Sequence, residues 1–267
     1  MDRRRLKNII ILILFLVNVF LLGSLAYRST AARASHDRAV EQLVELFAAD
    51  GVALAPEALS SETPPAGCVL TRDTSWERSA AAYLLGGNLL HSERGGVYTY
   101  AGSNGAALFR ENGGFEAAGT LAPSDGERFC QRFCREFHYG ALSVQLDADA
   151  SGTVTALREY NGLVVSNCAV TFTLEEGAVV AAKGTLLPET ASETAGTEPL
   201  SAQAALTAFQ SMRRETGAVA SSITEMYLCY ELQSSTAAPM SLVPAWCIVT
   251  DTVDYYVNCI TGAVGSH

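Results

Sequence analysis

The stretch that decides the fold is DGERFCQRFCREFHY, residues 125–139. Its apolar side chains recur every three or four residues, which is the spacing of one face of an α-helix. Charged and amide side chains occupy most of the other positions. The pattern predicts an amphipathic helix that buries a single stripe, which consists of Phe129, Cys130, Phe133, Cys134 and Phe137.

Four strand-like segments follow this helix, at residues 141–146, 153–160, 163–174 and 178–186. Short turn-forming sequences separate them, such as Asn161-Gly162. A second helix is expected over 200–216, beginning at Ser201, and it is followed by strand-like segments at 223–232, 244–250 and 254–260. Closely spaced strands with short turns favour antiparallel meanders. The sequence therefore predicts an α+β protein with two helix-plus-antiparallel-sheet units, at about 125–187 and 200–267.

Upstream of the first helix, Ser103-Asn104-Gly105 separates two apolar-rich segments and predicts a β-hairpin. The same residues complete an A-x-S-x-G sequence at 101–105, a variant of the nucleophile elbow of hydrolases. That elbow requires a strand, a sharp turn and then a helix. Because a strand-like segment follows here, the hairpin interpretation is favoured over the nucleophile.

Near the N-terminus, residues 9–27, IIILILFLVNVFLLGSLAY, contain no charged side chain. A helix of this length measures roughly 28 Å, close to the hydrocarbon thickness of a bilayer. Basic residues immediately before it, at Arg3, Arg4, Arg5 and Lys7, favour a cytoplasmic N-terminus and an extracellular C-terminal domain. A cleaved signal peptide is the alternative, since Ala32-Arg33-Ala34 resembles a cleavage site. We expect a retained single-pass anchor in the plasma membrane.

Asn18 lies in the middle of this apolar stretch. An amide at the bilayer centre finds no water, so it is better satisfied against another helix or against its own backbone. Asn18 is therefore the candidate for a partner contact within the membrane.

These patterns predict an α+β chain in which an N-terminal transmembrane helix precedes the two units. The expected divisions are a cytoplasmic tail at 1–8, a transmembrane anchor at 9–27, a juxtamembrane helix at 28–51, a linker at 52–67, a first extracytoplasmic unit at 68–187, a linker at 188–199 and a second unit at 200–267.

Charge and motif content argue against several function classes. The formal net charge is −10, and the basic residues before the anchor leave the rest of the chain more acidic still, which argues against binding nucleic acid. The seven Cys form no C-x-x-C pair or zinc-ligand spacing, so they are either buried small hydrophobes or a weakly signalled disulfide framework. Cys130 and Cys134 could form a metal or redox pair, and Trp246, Tyr255 and Tyr256 a ligand platform, but core positions and cross-strand pairs explain them better. We expect no catalytic residue, metal or cofactor.

Three segments resemble the YycH/YycI regulatory proteins of low-GC Gram-positive bacteria. They are the start of the chain with its apolar stretch, the segment REYNGLVVSN at 158–167, and the ending formed by PAWCI at 244–248 and YYVNCITG at 255–262. The ending also resembles PepSY-like domains. The matching segments of these families usually have Pro at the position of Val164 and Ala at the position of Cys259. The resemblance covers about 125–267 and the anchor, but not 68–120.

The resemblance implies a membrane-anchored extracytoplasmic regulator that associates with a sensor histidine kinase of cell-wall homeostasis, and with a paralogous regulator in the membrane. It offers no catalytic residues. Two other functions stay open: a PepSY-type peptidase inhibitor or cell-wall binding module, and a membrane-anchored hydrolase. Co-purification with the anchor intact separates the kinase regulator from these two alternatives.

Overall fold

The computed structural model of the chain describes Leu14, Val17, Asn18 and Phe20 and residues 38–194, 196, 198–235 and 238–266. The predicted cytoplasmic tail and most of the predicted anchor lie outside these residues. Among the residues described, no helix has the length and apolarity needed to cross a membrane.

The architecture is α+β, with a mostly antiparallel sheet and helices packed on it. The helices are α1 at 38–49, α2 at Thr74–Leu85, α3 at Gly126–Glu136 and α4 at Ala202–Thr216, with a short 3-10 helix at Pro56–Ala58. The strands are β1 Ala53–Leu54, β2 Cys68–Leu70, β3 Leu90–Arg94, β4 Val97–Gly102, β5 Gly105–Phe109, β6 Gly114–Ala122, β7 Ser143–Leu146, β8 Gly152–Tyr160, β9 Leu163–Glu175, β10 Ala178–Thr185, β11 Ala191–Glu193, β12 Ser222–Ser235, β13 Ala238–Thr250, β14 Tyr255–Asn258 and β15 Val264–Ser266.

The sheet order is β11-β2-β13-β12-β9-β10-β6-β5-β4-β3, with β8 and β7 continuing from β9, and β14 and β15 from β13. The pairs that β12 makes with β9 and with β1 are parallel. The predicted meander after α3 is confirmed as β7 to β10. Its turns follow from the sequence: Asn161 and Gly162 have φ of 49° and 80°, the positive values that a tight hairpin turn requires.

The predicted stripe of α3 is confirmed as a core face. Phe133 and Phe137 are fully buried, and the Phe133 ring meets the Phe172 ring of β9 edge-on at 5.3 Å between centroids. Helix α2 packs on the same face of the sheet, where the Tyr83 ring lies 4.9 Å from the Phe129 ring. Strands β3 to β6, of which β3 and β6 were not predicted, extend this sheet through the β6–β10 pair.

Helix α1 packs against α4, more than 150 positions later in the chain. The rings of Phe47 and Phe209 stack with centroids 6.3 Å apart. The Asp50 carboxylate pairs with Arg214 at 2.7 Å and accepts a hydrogen bond from the Gln210 amide, while its backbone carbonyl accepts one from Arg213 at 2.9 Å. The predicted juxtamembrane helix therefore completes the core of the C-terminal unit.

Both predicted linkers contain secondary structure. In the first, β1 pairs with β12 of the C-terminal unit. In the second, β11 pairs with β2, which itself lies along β13. These segments lack the length and periodicity that reveal a strand in sequence, and they are strands here because long-range partners satisfy their backbone groups.

Candidate functional site

An apolar cleft lies where two strands meet end to end along β13. Ser241 and Leu242 pair with β2, whereas β13 from Ala245 onward pairs with β14 on the same edge. Only Val243 and Pro244 of β13 separate the start of β2 from the end of β14. The cleft at this junction is also lined by Pro64, Ala66, Gly67, Thr194, Gly196, Glu198 and Pro199. The resulting cleft has a volume of about 610 Å³. A mostly apolar cleft of this size is typical of a binding site.

Apolar side chains and a few fixed polar groups line this junction cleft. Val69, Val243 and Ile260 contribute apolar surface. Asn258 is buried, and its side-chain oxygen accepts hydrogen bonds from the backbone N–H groups of Ile260 at 2.9 Å and Thr261 at 3.0 Å. The final turn is therefore held in one conformation, and it presents Ile260, 37% exposed, at the cleft.

A second, polar pocket of about 310 Å³ has Arg158 in its wall. The Arg158 side chain is only 2% exposed, and its Nη1 donates a hydrogen bond to the His138 carbonyl at 2.5 Å. The guanidinium carbon lies 5.8 Å from the centre of the Tyr139 ring. Burial lowers the pKa of the Arg158 guanidinium below its usual value. We call this site the Arg158 pocket.

A third surface is the solvent-facing side of the sheet opposite α2 and α3. A row of small side chains crosses it through the pairs Ala106–Ala118, Ala118–Ala181 and Ala181–Thr173. These residues line a shallow groove of about 420 Å³. Antiparallel sheets commonly leave one face to solvent, so this groove needs no ligand to explain it.

The residues singled out from the sequence lie in different places. Asn18 has a helical backbone and an exposed side chain. Ser103 lies in the hairpin between β4 and β5, so the strand–turn–helix of a nucleophile elbow is not formed, and its hydroxyl donates a hydrogen bond to the Leu85 carbonyl at 3.4 Å. Of the turn residues, Gly105 alone has a positive φ, and a Cβ at this position would overlap the Ala118 carbonyl oxygen.

The candidate cysteines and aromatics belong to the core. Burial raises the pKa of both Cys130 and Cys134 to about 12. The side chains of Trp246, Tyr255 and Tyr256 do not form one platform: Trp246 is fully buried, Tyr255 packs against Phe209, and Tyr256 belongs to a separate buried cluster with Cys247. No group of three or more metal-ligating side chains occurs in the described part of the chain.

Of the four histidines, His91 and His138 lie within the described residues. His91 is on β3 beside the Tyr100 ring, at 6.4 Å between ring centroids. His138 follows α3 with a positive φ of 57°, and its Nε2 lies 3.1 Å from the Glu189 carboxylate at the Arg158 pocket.

Sequence reasoning missed the Arg158 pocket and the junction cleft. Arg158 lies between Leu157 and Glu159 of a predicted strand, and its alternation with the buried Ala156 and Val154 was a usable signal that its side chain points inward. The junction cleft had no such signal, because its walls come from segments that are far apart in the chain.

No protein family matches the sequence, and no curated protein matches it. Among solved structures, the chain is similar to an uncharacterized protein from Eubacterium rectale, with a TM-score of 0.41 and 10% identity over 80% of this chain and 85% of that one. It is also similar to the C-terminal domain of Bacillus megaterium YpeB, with a TM-score of 0.37 and 12% identity over 74% of this chain and 98% of that domain. At these values the similarity transfers no function.

Proposed function

We propose that this protein is a membrane-anchored extracytoplasmic regulator, which binds and modulates a sensor histidine kinase of a cell-wall two-component system. The observation that carries the proposal is the junction cleft, whose apolar walls and fixed turn suit a segment of another protein. Protein interfaces characteristically have an apolar core surrounded by polar residues. The resemblance of the N- and C-terminal segments to YycH/YycI proteins suggests the class of the partner, a sensor histidine kinase.

The attachment of α1 to α4 supports a regulatory role. The described part of α1 starts at residue 38, after the predicted anchor at 9–27, and Asp50 joins the end of α1 to Arg213 and Arg214 of α4. The Trp246 indole joins β13 to Leu200, just before α4. A partner bound at the junction cleft, beside β13, would therefore be connected through α4 to α1, the helix that follows the predicted anchor in the chain.

Co-purification from membranes tests the proposal. The full-length tagged protein is expressed in its own host, cross-linked and solubilised, and the kinase recovered with it is quantified. Ile260→Glu places a charge at the junction cleft, so we expect kinase recovery to fall by about tenfold or more, as for an interface hot spot. Val219→Glu is the matched control, because Val219 is 71% exposed and does not line the cleft.

Asn18→Leu separates a contact in the membrane from one at the cleft. If a partner helix satisfies the Asn18 amide, this variant inserts normally but recovers less kinase, by a modest factor that corresponds to roughly 0.6–2 kcal/mol. If wild type and Ile260→Glu recovered equal amounts of kinase, binding of the kinase at the junction cleft would be contradicted. Recovery of a secreted peptidase or cell-wall fragments without any kinase would instead favour the inhibitor or wall-binding function.

A further inference from the structure

Among the buried charged side chains of the described residues, Arg158 is the one without an oppositely charged partner. Glu77, the other one, forms two hydrogen bonds with the Arg72 guanidinium, at 2.7 and 3.0 Å. Arg158 has no carboxylate within ion-pair distance, and within the described chain its Nε, fully buried, has no hydrogen-bond acceptor. A buried guanidinium without a counter-ion is costly, and buried charges are normally paired, so this environment favours an anionic partner for Arg158.

The pocket beside Arg158 also contains two carboxylates. Glu159 and Glu189 line it together with His138, Tyr160 and the turn at Asn161-Gly162. Both carboxylate side chains are solvent-accessible, whereas Arg158 is buried, so the positive charge lies at the base of the pocket and the negative charges at its rim. The Glu189 carboxylate is held there by His138 Nε2 at 3.1 Å.

We propose that the Arg158 pocket binds a small zwitterion, specifically a free α-amino acid. Its carboxylate pairs with the Arg158 guanidinium, and its ammonium group pairs with the rim carboxylates of Glu159 and Glu189. Charge complementarity selects this ligand: the rim carboxylates repel a simple anion, and the buried guanidinium repels a simple cation. The volume of about 310 Å³ is ample for such a ligand.

The carboxylate contact explains why arginine stands at position 158. A planar guanidinium presents several N–H donors that match the two oxygens of a carboxylate. With Nη1 bonded to the His138 carbonyl and Nε buried, Nη2 is the guanidinium nitrogen that remains to meet the ligand carboxylate. The inference concerns a small ligand and holds whichever protein binds at the junction cleft.

Calorimetric titration of the full-length protein in mild detergent tests this site, with L-alanine, D-alanine, acetate and methylammonium as probes. We expect saturable binding of at least one alanine enantiomer, about tenfold or more tighter than acetate or methylammonium, because each of those lacks one of the two charges. Absence of saturable alanine binding overturns the proposal, and so does acetate binding as tightly as alanine.

Two substitutions locate the site. Glu189→Gln removes one rim charge from an exposed side chain, and we expect it to weaken alanine binding by about tenfold, the effect of losing a charge-assisted hydrogen bond. Glu215→Gln, the same change on an exposed residue of α4, should leave binding unchanged. Arg158→Lys should abolish binding, with circular dichroism to verify that the variant folds. Unchanged affinity in Glu189→Gln overturns the assignment even if the Arg158 variant unfolds.

Discussion

The indole Nε1 of Trp246 donates a hydrogen bond to the backbone carbonyl of Leu200 at 2.9 Å. The backbone N–H of Leu200 in turn donates to the Cys259 carbonyl at 2.7 Å. Leu200 directly precedes the Ser201 cap of α4, so this bond fixes where the helix starts relative to the centre of the sheet. Trp76 offers a contrast, since its Nε1 is buried without a partner in the described structure.

The two tryptophans therefore predict unequal effects of removing the indole N–H. Trp246→Phe leaves the Leu200 carbonyl unsatisfied, and we expect the free energy of unfolding to fall by about 1–3 kcal/mol more than in Trp76→Phe. The full burial of Trp246 and the removal of the unpaired Nε1 at Trp76 act in the same direction as the lost hydrogen bond. Urea unfolding followed by circular dichroism measures the difference, and equal losses in the two variants would contradict the prediction.

The buried stripe of α3 predicts that a charge at its centre unfolds the first unit. Phe133 is fully buried, with the rings of Phe137 and Phe172 packed against it. We expect Phe133→Asp to abolish the cooperative melting transition of this unit, since an unpaired carboxylate in an apolar core costs several kcal/mol. Arg128→Ala, on the exposed side of the same helix, should change the melting temperature little. A melting curve of Phe133→Asp that matches wild type would exclude burial of the stripe.

The cap of α2 predicts a pH dependence of stability. The Asp73 carboxylate accepts hydrogen bonds from the Ser75 hydroxyl at 2.6 Å and from the backbone N–H groups of Ser75 and Trp76, which lower its pKa below the usual 3.8. A lowered pKa in the folded state means that the stabilisation is present above the usual value and is lost as the pH falls through the folded-state pKa.

Asp73→Ala should cost about 1 kcal/mol near neutral pH, the typical value of a helix cap. Asp73→Asn keeps an acceptor oxygen but cannot titrate, so its stability relative to wild type should improve as the pH falls below the usual aspartate pKa of 3.8. Urea unfolding at a series of pH values tests this. A constant difference between wild type and Asp73→Asn across the series would show that the carboxylate charge contributes nothing.

The seven cysteines are all free and buried in the structure. With the pKa of Cys130 and Cys134 at about 12, roughly one thiol in ten thousand is ionised at pH 8. We expect the folded, reduced protein to show no fast reaction with a thiol-specific reagent, and all seven cysteines to react in denaturant. Rapid labelling of Cys130 or Cys134 in the folded state would contradict the core assignment and reopen a redox role.

Local sequence patterns determined much of the secondary structure. The spacing of Phe129, Phe133 and Phe137 specified α3 and its buried face, and Asn161-Gly162 specified a hairpin turn, because helical periodicity and positive φ are properties of neighbouring residues. The Ser201 cap marked the start of α4 in the same way. The charge-free stretch at 9–27 predicts an anchor by its length and apolarity. The described residues do not test that prediction.

The tertiary structure decided what depends on residues far apart in the chain. Helix α1 packs on α4, β1 joins β12, and β11 joins β2, although the sequence between these partners shows no sign of the pairing. The junction cleft and the Arg158 pocket are likewise assembled from separate segments. Periodicity reports which face of an element is buried but not what buries it, because burial is satisfied by any apolar surface, and only the complete packing selects which one.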